Sequence, residues 1–148
     1  MELKRVSLAL ALFAFATGCR SQDAMGTIAA SHIDANVPRS KLFDESLKRN
    51  LNSYFCPEAK DCQVEYQLLR DGPTQTGIAY PKYYLWVKCS KLKSRTAEGA
   101  VRVAAREQTE FDVTHFLSRE EILDSPSRVA SIFPAPLVEK IVKKARGQ

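Results

Sequence analysis

Apolar and polar positions along this chain change period several times, and each change predicts an element. Phe43, Leu47, Leu51, Tyr54 and Phe55 recur at spacings of three and four, so Ser40 to Phe55 is predicted to be an amphipathic helix. Ser40 suits its N-cap, and Asp44 and Glu45 favour the positive end of the helix. Pro57 crowds the residue before it, which places the stop near Phe55. From Gln63 the period falls to two. Val64, Tyr66 and Leu68 share one side of a strand over Gln63–Arg70. In Pro81–Ser90, Tyr83, Leu85, Val87 and Cys89 face one way, while Tyr84 and Trp86 face the other. Asp71-Gly72-Pro73 and Gly77 mark the turn between these strands. A hairpin register centred near Gln75 sets Cys62 opposite Cys89.

Farther along, Ala100–Glu107 reads both ways. Val101, Val103 and Ala105 suit a strand, whereas the alanines and Arg106-Glu107-Gln108 suit a helix; strand is favoured. Phe111–Leu117 reads as a further strand. Ser118-Arg119-Glu120-Glu121 is a capping box and opens a short helix. Ser125-Pro126 opens another, since proline is tolerated in a first turn. Leu137, Val138, Ile141, Val142 and Ala145 form the apolar side of a last helix, with Lys143, Lys144 and Arg146 at its negative end and Gly147 at its stop. The order is α+β: a helix packed on a meander of three or four antiparallel strands, then short helices. It is similar in element order to the cystatin-like and NTF2-like arrangement, in which a curved sheet wraps a helix. Fold analogy of this kind carries no function.

The N-terminus fixes the expected compartment. Lys4 and Arg5 precede an apolar run of about a dozen residues, Val6–Thr17, the length of a signal core and short of the roughly 20 residues that span a membrane. Ala16-Thr17-Gly18-Cys19 then resembles the lipobox of bacterial lipoproteins, with Ala16 where that family usually carries Leu. The resemblance implies lipidation of Cys19. With Arg20 rather than Asp next to it, it also implies an anchor in the outer membrane, facing the periplasm. Ala14-Phe15-Ala16 offers a second reading, cleavage after Ala16 to give a soluble exported protein. The expected organisation is a signal peptide over 1–18, a lipidated tether over 19–37 and one globular domain over 38–148. The small, polar stretch Ser21–Val37 shows no sustained period, and as a coil it spans roughly 20–25 Å.

Export makes disulfides the default for Cys56, Cys62 and Cys89. Lipidation of Cys19 leaves an odd three; cleavage after Ala16 leaves four and two bridges. A Cys56–Cys62 ring stabilises by about 2 kcal/mol and a bridge to Cys89 by roughly 3–4 kcal/mol in the chain-entropy treatment. The cysteine spacing is not C-x-x-C. His32 and His115 do not sit at ligand spacing from the cysteines, so neither redox catalysis nor a zinc site is expected, and no cofactor. Removing residues 1–18 lowers the net charge of +5 by one. The mild excess suits anionic envelope surfaces, and no nucleic-acid motif is present.

No nucleophile, metal or phosphate-loop motif appears, and no catalytic residue is assigned. His115 is the best enzyme candidate. Three residues from Asp112 on a strand, it faces away from that carboxylate and shares a side with Phe111, Val113 and Leu117, which reads as a mostly buried histidine. Tyr80, Tyr83, Tyr84 and Trp86 concentrate the aromatic content. Core packing is the plain reading; if the C-terminal helices leave them uncovered, Tyr84 and Trp86 form a partner-binding patch. Lys88, Lys91, Lys93 and Arg95 make a basic run that reads as a solvated hairpin end, with contact to an acidic partner as the alternative. The function expected is a non-enzymatic envelope lipoprotein that binds other envelope proteins. The alternative is an inhibitor or immunity protein against a toxin or wall hydrolase.

Overall fold

Apolar side chains on both faces of the Tyr83–Cys89 strand demand a cover on each side. The computed structural model describes residues 24–57, 62–91 and 94–148, and it supplies both covers. Strands β1 (Cys62–Leu68), β2 (Lys82–Lys91), β3 (Ser94–Arg106) and β4 (Glu110–Ser118) form one antiparallel sheet in the order β1-β2-β3-β4. Helices α1 (Ala24–Asn36) and α2 (Ser40–Phe55) precede it, and α3 (Arg119–Asp124), α4 (Ser127–Ile132) and α5 (Ala135–Ala145) follow. The expected α+β order is the observed one, and Ala100–Glu107 lies in β3 except for its last residue.

One face packs on α2. Leu47 and Leu51 are fully buried against Tyr83, Leu85, Val87, Val101, Val103 and Phe111. Phe43 meets Tyr83 and Phe111 edge-on, at 5.0 and 5.1 Å between ring centres. Arg49 and Asn50 tie the helix to the far strand, through Arg49 Nη2 to the Thr109 carbonyl and the Phe111 N–H to Asn50 Oδ1. The N-cap is Arg39 rather than Ser40, with no side-chain cap, because Ser40 already has helical geometry. The C-cap is Cys56, directly before Pro57.

The other face carries Tyr84, Trp86, Ala100 and Leu117, covered by Ile122, Val129, Phe133, Leu137 and Ile141. Burying each such aliphatic side chain is worth about 1.5–3 kcal/mol. The Ser118 capping box forms as predicted, with Ser118 Oγ accepting from the Glu121 N–H and the Glu121 carboxylate accepting from the Ser118 N–H. α5 buries Leu137, Ile141 and Ala145, one every four residues. Among the described residues no helix is long and apolar enough to cross a membrane. The signal run, the lipobox and Cys19 lie outside the described residues.

Two expectations about the chain's path are corrected. Residues 24–36, read as a coil tether, are a helix roughly 20 Å long. Ala24, Ala29, Ala30 and Ala35 supply the propensity that a search for an apolar stripe overlooks. Its end is pinned by Asn36, whose side chain donates to the His32 carbonyl and accepts from the Glu107 N–H, while its carbonyl accepts from the Gln108 N–H. Glu107 and Gln108 form the β3–β4 turn with φ of +53° and +59°, a left-handed conformation that these bonds help to hold. The β1–β2 register also differs, with Cys62 opposite Lys91 and Cys89 opposite Val64. The slip is two residues, an even number, so every side chain keeps its face.

Candidate functional site

The loop between β1 and β2 is braced by its own hydrogen bonds, and it holds the most exposed large apolar side chain among the described residues. Leu69 is buried and its N–H donates to the Tyr84 carbonyl, so the chain leaves β1 anchored. Thr74 and Lys82 exchange two backbone hydrogen bonds of 2.8 and 2.9 Å. The Thr74 hydroxyl lies 2.7 Å from the Tyr84 hydroxyl. Gln75 Nε2 donates to the carbonyls of Gly77 and Ala79, and the Ala79 N–H donates to the Thr76 carbonyl. Gly77 takes φ of +54°, which glycine adopts without steric cost. These bonds fix a tight turn whose apex residue, Ile78, is 82% exposed, with Tyr80 at 47%. Beneath it lies a cleft of about 240 Å³ lined by Thr74, Thr76, Tyr80, Lys82, Tyr84 and Pro134.

A cationic zone adjoins the cleft. Arg102, opposite Tyr84 across the sheet, donates to Thr114 Oγ1, to the Ile132 carbonyl and to His115 Nδ1, the last at 2.6 Å. A guanidinium only donates, so Nδ1 of His115 accepts and its proton sits on Nε2. Desolvation, then the charges of Arg102 and Lys82, hold the His115 pKa below 6.5. Asp112 pairs instead with Arg106, at 3.3 Å. Histidine beside two cations and away from the carboxylate is not the oriented, activated base of a catalytic dyad.

His115 is exposed, which corrects its reading as a mostly buried residue. The reason is a β-bulge. Arg102 pairs with His115 but Val103 with Val113, so Thr114 is extra. Alternation therefore breaks at Thr114. Phe111, Val113 and Phe116 belong to the α2 side, whereas Leu117 belongs to the core under the C-terminal helices.

Tyr84 and Trp86, proposed as a partner patch, are each 5% exposed. Trp86 Nε1 donates to Glu98, Lys144 Nζ lies 5.7 Å from its ring centre, and Arg119 bridges Glu98 Oε2 and the Ala145 carbonyl. The C-terminal helices thus remove both aromatics from any partner. The side chain of Lys91, and all of Lys93, lie outside the described residues. Neighbouring Lys88 is exposed.

A larger groove, about 420 Å³, runs beside α5 and is lined by Gln67, Pro136, Glu139, Lys140, Lys143 and Lys144. Two of its lysines tie α5 to the end of β1, and the third pairs within the helix. Lys140 donates to the Leu69 carbonyl, Lys144 to Gln67, and Lys143 pairs with Glu139. No known family model matches this chain, and no curated protein or solved structure matches it either. The cystatin-like and NTF2-like likeness therefore stays one of element order.

The cysteines converge as well. Cys56 and Cys62 form a disulfide across the end of α2 and the start of β1. Cys89 is buried, with its Sγ 3.0 Å from that of Cys62 and 3.6 Å from that of Cys56. Sequence reasoning found all three but missed Ile78 and Arg102. Ile78 was legible as a large apolar residue inside a turn-forming stretch, where no periodicity calls for one.

Proposed function

We propose that this protein is a lipid-anchored, non-enzymatic accessory of the bacterial envelope, facing the periplasm from the outer membrane, and that it binds other envelope proteins through the β1–β2 loop. The observation that carries the binding reading is Ile78, an apolar side chain held out in water by a turn whose backbone is already fixed. A bare exposed side chain is ordinary, but one on a pre-ordered loop beside Tyr80 and a cationic strip is the form of a binding anchor. Ordering costs little there, because the internal hydrogen bonds have already been made. Lys82 and Arg102 favour an acidic rim on the partner. Location comes from the lipobox-like Ala16-Thr17-Gly18-Cys19, and the helix over Ala24–Asn36 sets a short, stiff spacing between anchor and sheet.

A protruding loop is also what an inhibitor inserts into an enzyme cleft, so the same surface serves the inhibitor or immunity reading. One experiment separates them. Tagged protein is cross-linked in native envelopes and recovered alongside an Ile78→Asp variant. Stoichiometric recovery of resident envelope proteins, lost in the variant, is the expected result. Recovery of a single toxin or hydrolase assigns the inhibitor role, and equal recovery by both proteins refutes the loop as the contact.

A further inference from the structure

The sheet has two edges, and they are not equally defended. β4 is bent by the bulge at Thr114, and the outward N–H of Phe111 is taken by Asn50 of α2. β1 forms the other edge, and over Cys62–Leu68 it carries no proline, no bulge and no basic residue. Those are devices that keep foreign strands off a sheet, so their absence leaves β1 open as a template. We propose that β1 is a docking edge for an extended segment of a partner protein, acidic and apolar by turns, which adds to the sheet as one more antiparallel strand.

The register shows which backbone groups this edge offers. The Leu69 N–H donates to the Tyr84 carbonyl, its opposite number in the continuing register, so Gln67, Glu65 and Gln63 also turn their backbone groups toward β2. Val64, Tyr66 and Leu68 turn theirs outward, where an added strand pairs with them. Beside them runs a groove of about 380 Å³, lined by Lys48 and Asn52 of α2 and by residues 62–66. Consecutive β1 residues line it, so it follows the edge of the strand rather than one face.

The two faces set the partner's chemistry. Side chains opposite Val64, Tyr66 and Leu68 extend the apolar row under α2, where Tyr66 and Leu68 are still half-buried. A side chain opposite Gln67 enters the groove beside α5. There Lys144 and Lys140 donate to neutral acceptors, Gln67 Oε1 at 2.8 Å and the Leu69 carbonyl at 2.7 Å, which satisfy hydrogen bonds but do not cancel charge. An acid opposite Gln67 supplies the missing sign, and Glu65 disfavours a second acid opposite itself. The segment recognised is therefore apolar, acidic, apolar, then neutral or basic. A second copy of this chain suits the edge less well, because β1 paired with itself sets two α5 helices on the same side and brings their lysines together. This edge does not depend on the reading of the Ile78 loop.

The test uses full-length protein and a dye-labelled, end-capped peptide of alternating valine and threonine with glutamate at its central polar position. Saturable anisotropy is expected, with slowed amide exchange at Val64, Tyr66 and Leu68. Methylating the valine amides, which face β1, abolishes binding; methylating the threonine and glutamate amides, which face solvent, leaves it. Lysine in place of the glutamate weakens binding roughly fivefold, and Lys144→Gln narrows that preference. The preference is a ratio taken on one protein, so lost stability does not imitate it. Ile78→Asp binds the peptide unchanged, which keeps failure here distinct from failure of the loop reading. No saturable binding, equal binding by the two methylated peptides, exchange slowed only outside β1, or loss of binding in Ile78→Asp overturns the proposal. So do dimers of the protein alone that protect the same three amides, which assign the edge to a second copy.

Discussion

Replacing Trp86 with alanine separates a core aromatic from a surface one. The indole is 5% exposed and lies under Lys144, with its N–H on Glu98. Roughly 200 Å² of ring surface at about 25 cal/mol per Å² gives about 5 kcal/mol as an upper figure. Partial collapse of α5 onto the sheet recovers some of it, and Glu98 regains water beside Arg119, so a loss of about 3–5 kcal/mol is expected. For a domain of this size each kcal/mol moves Tm by roughly 4 °C, which sets the fall at about 12–20 °C. Trp86→Phe keeps most of the packing and loses the Glu98 bond, for about 1–2 kcal/mol. Calorimetry with urea denaturation measures both. A fall of under 1 kcal/mol for Trp86→Ala, with partner recovery abolished, would refute the burial argument and restore the aromatic patch.

Other outcomes follow from the same packing. Gly99→Ala drives a Cβ into the Leu117 carbonyl, with Phe116 Cε2 at 2.8 Å and the Ser118 Cα at 2.9 Å. Two of those atoms are backbone and cannot move aside, so a loss of about 3 kcal/mol is expected, read as a lower urea midpoint at unchanged slope. His115 holds a pKa below its ordinary 6.5 in the fold, so the unfolded chain binds the proton more readily. Its contribution is therefore present in full above pH 6.5 and falls as the pH drops toward the folded value. An NMR titration of the His115 ring should show a midpoint below 6.5 that rises in Arg102→Ala; an unmoved midpoint contradicts the role given to Arg102.

The first two strands were legible because they alternate strictly. Tyr83, Leu85 and Val87 against Tyr84 and Trp86 mark two buried faces, and the capping box at Ser118 and the apolar side of α5 name the cover for the second. A second core was thus signalled, but whether the C-terminal helices reach Tyr84 and Trp86 was left open, and their burial decides it against a partner patch. Position 115 was not readable, since the bulge at Thr114 arises from how β4 meets β3 and leaves no local mark. Helix α1 was missed because it is held by propensity and by Asn36 on the distant β3–β4 turn rather than by an apolar stripe. The β1–β2 loop was legible as a turn only. That it is braced by Gln75 and aims Ile78 outward depends on contacts among residues that sequence order does not pair.

The claim that the β1–β2 loop is the contact surface is tested most directly by photo-cross-linking in intact cells. A photoreactive side chain is placed at Ile78, and in a control at Glu120, which is also exposed but lies in the first turn of α3 rather than in the β1–β2 loop. Illumination should give a discrete adduct from position 78 and none from position 120. Adducts from position 120 with none from position 78 would place the contact elsewhere on the molecule and contradict the account.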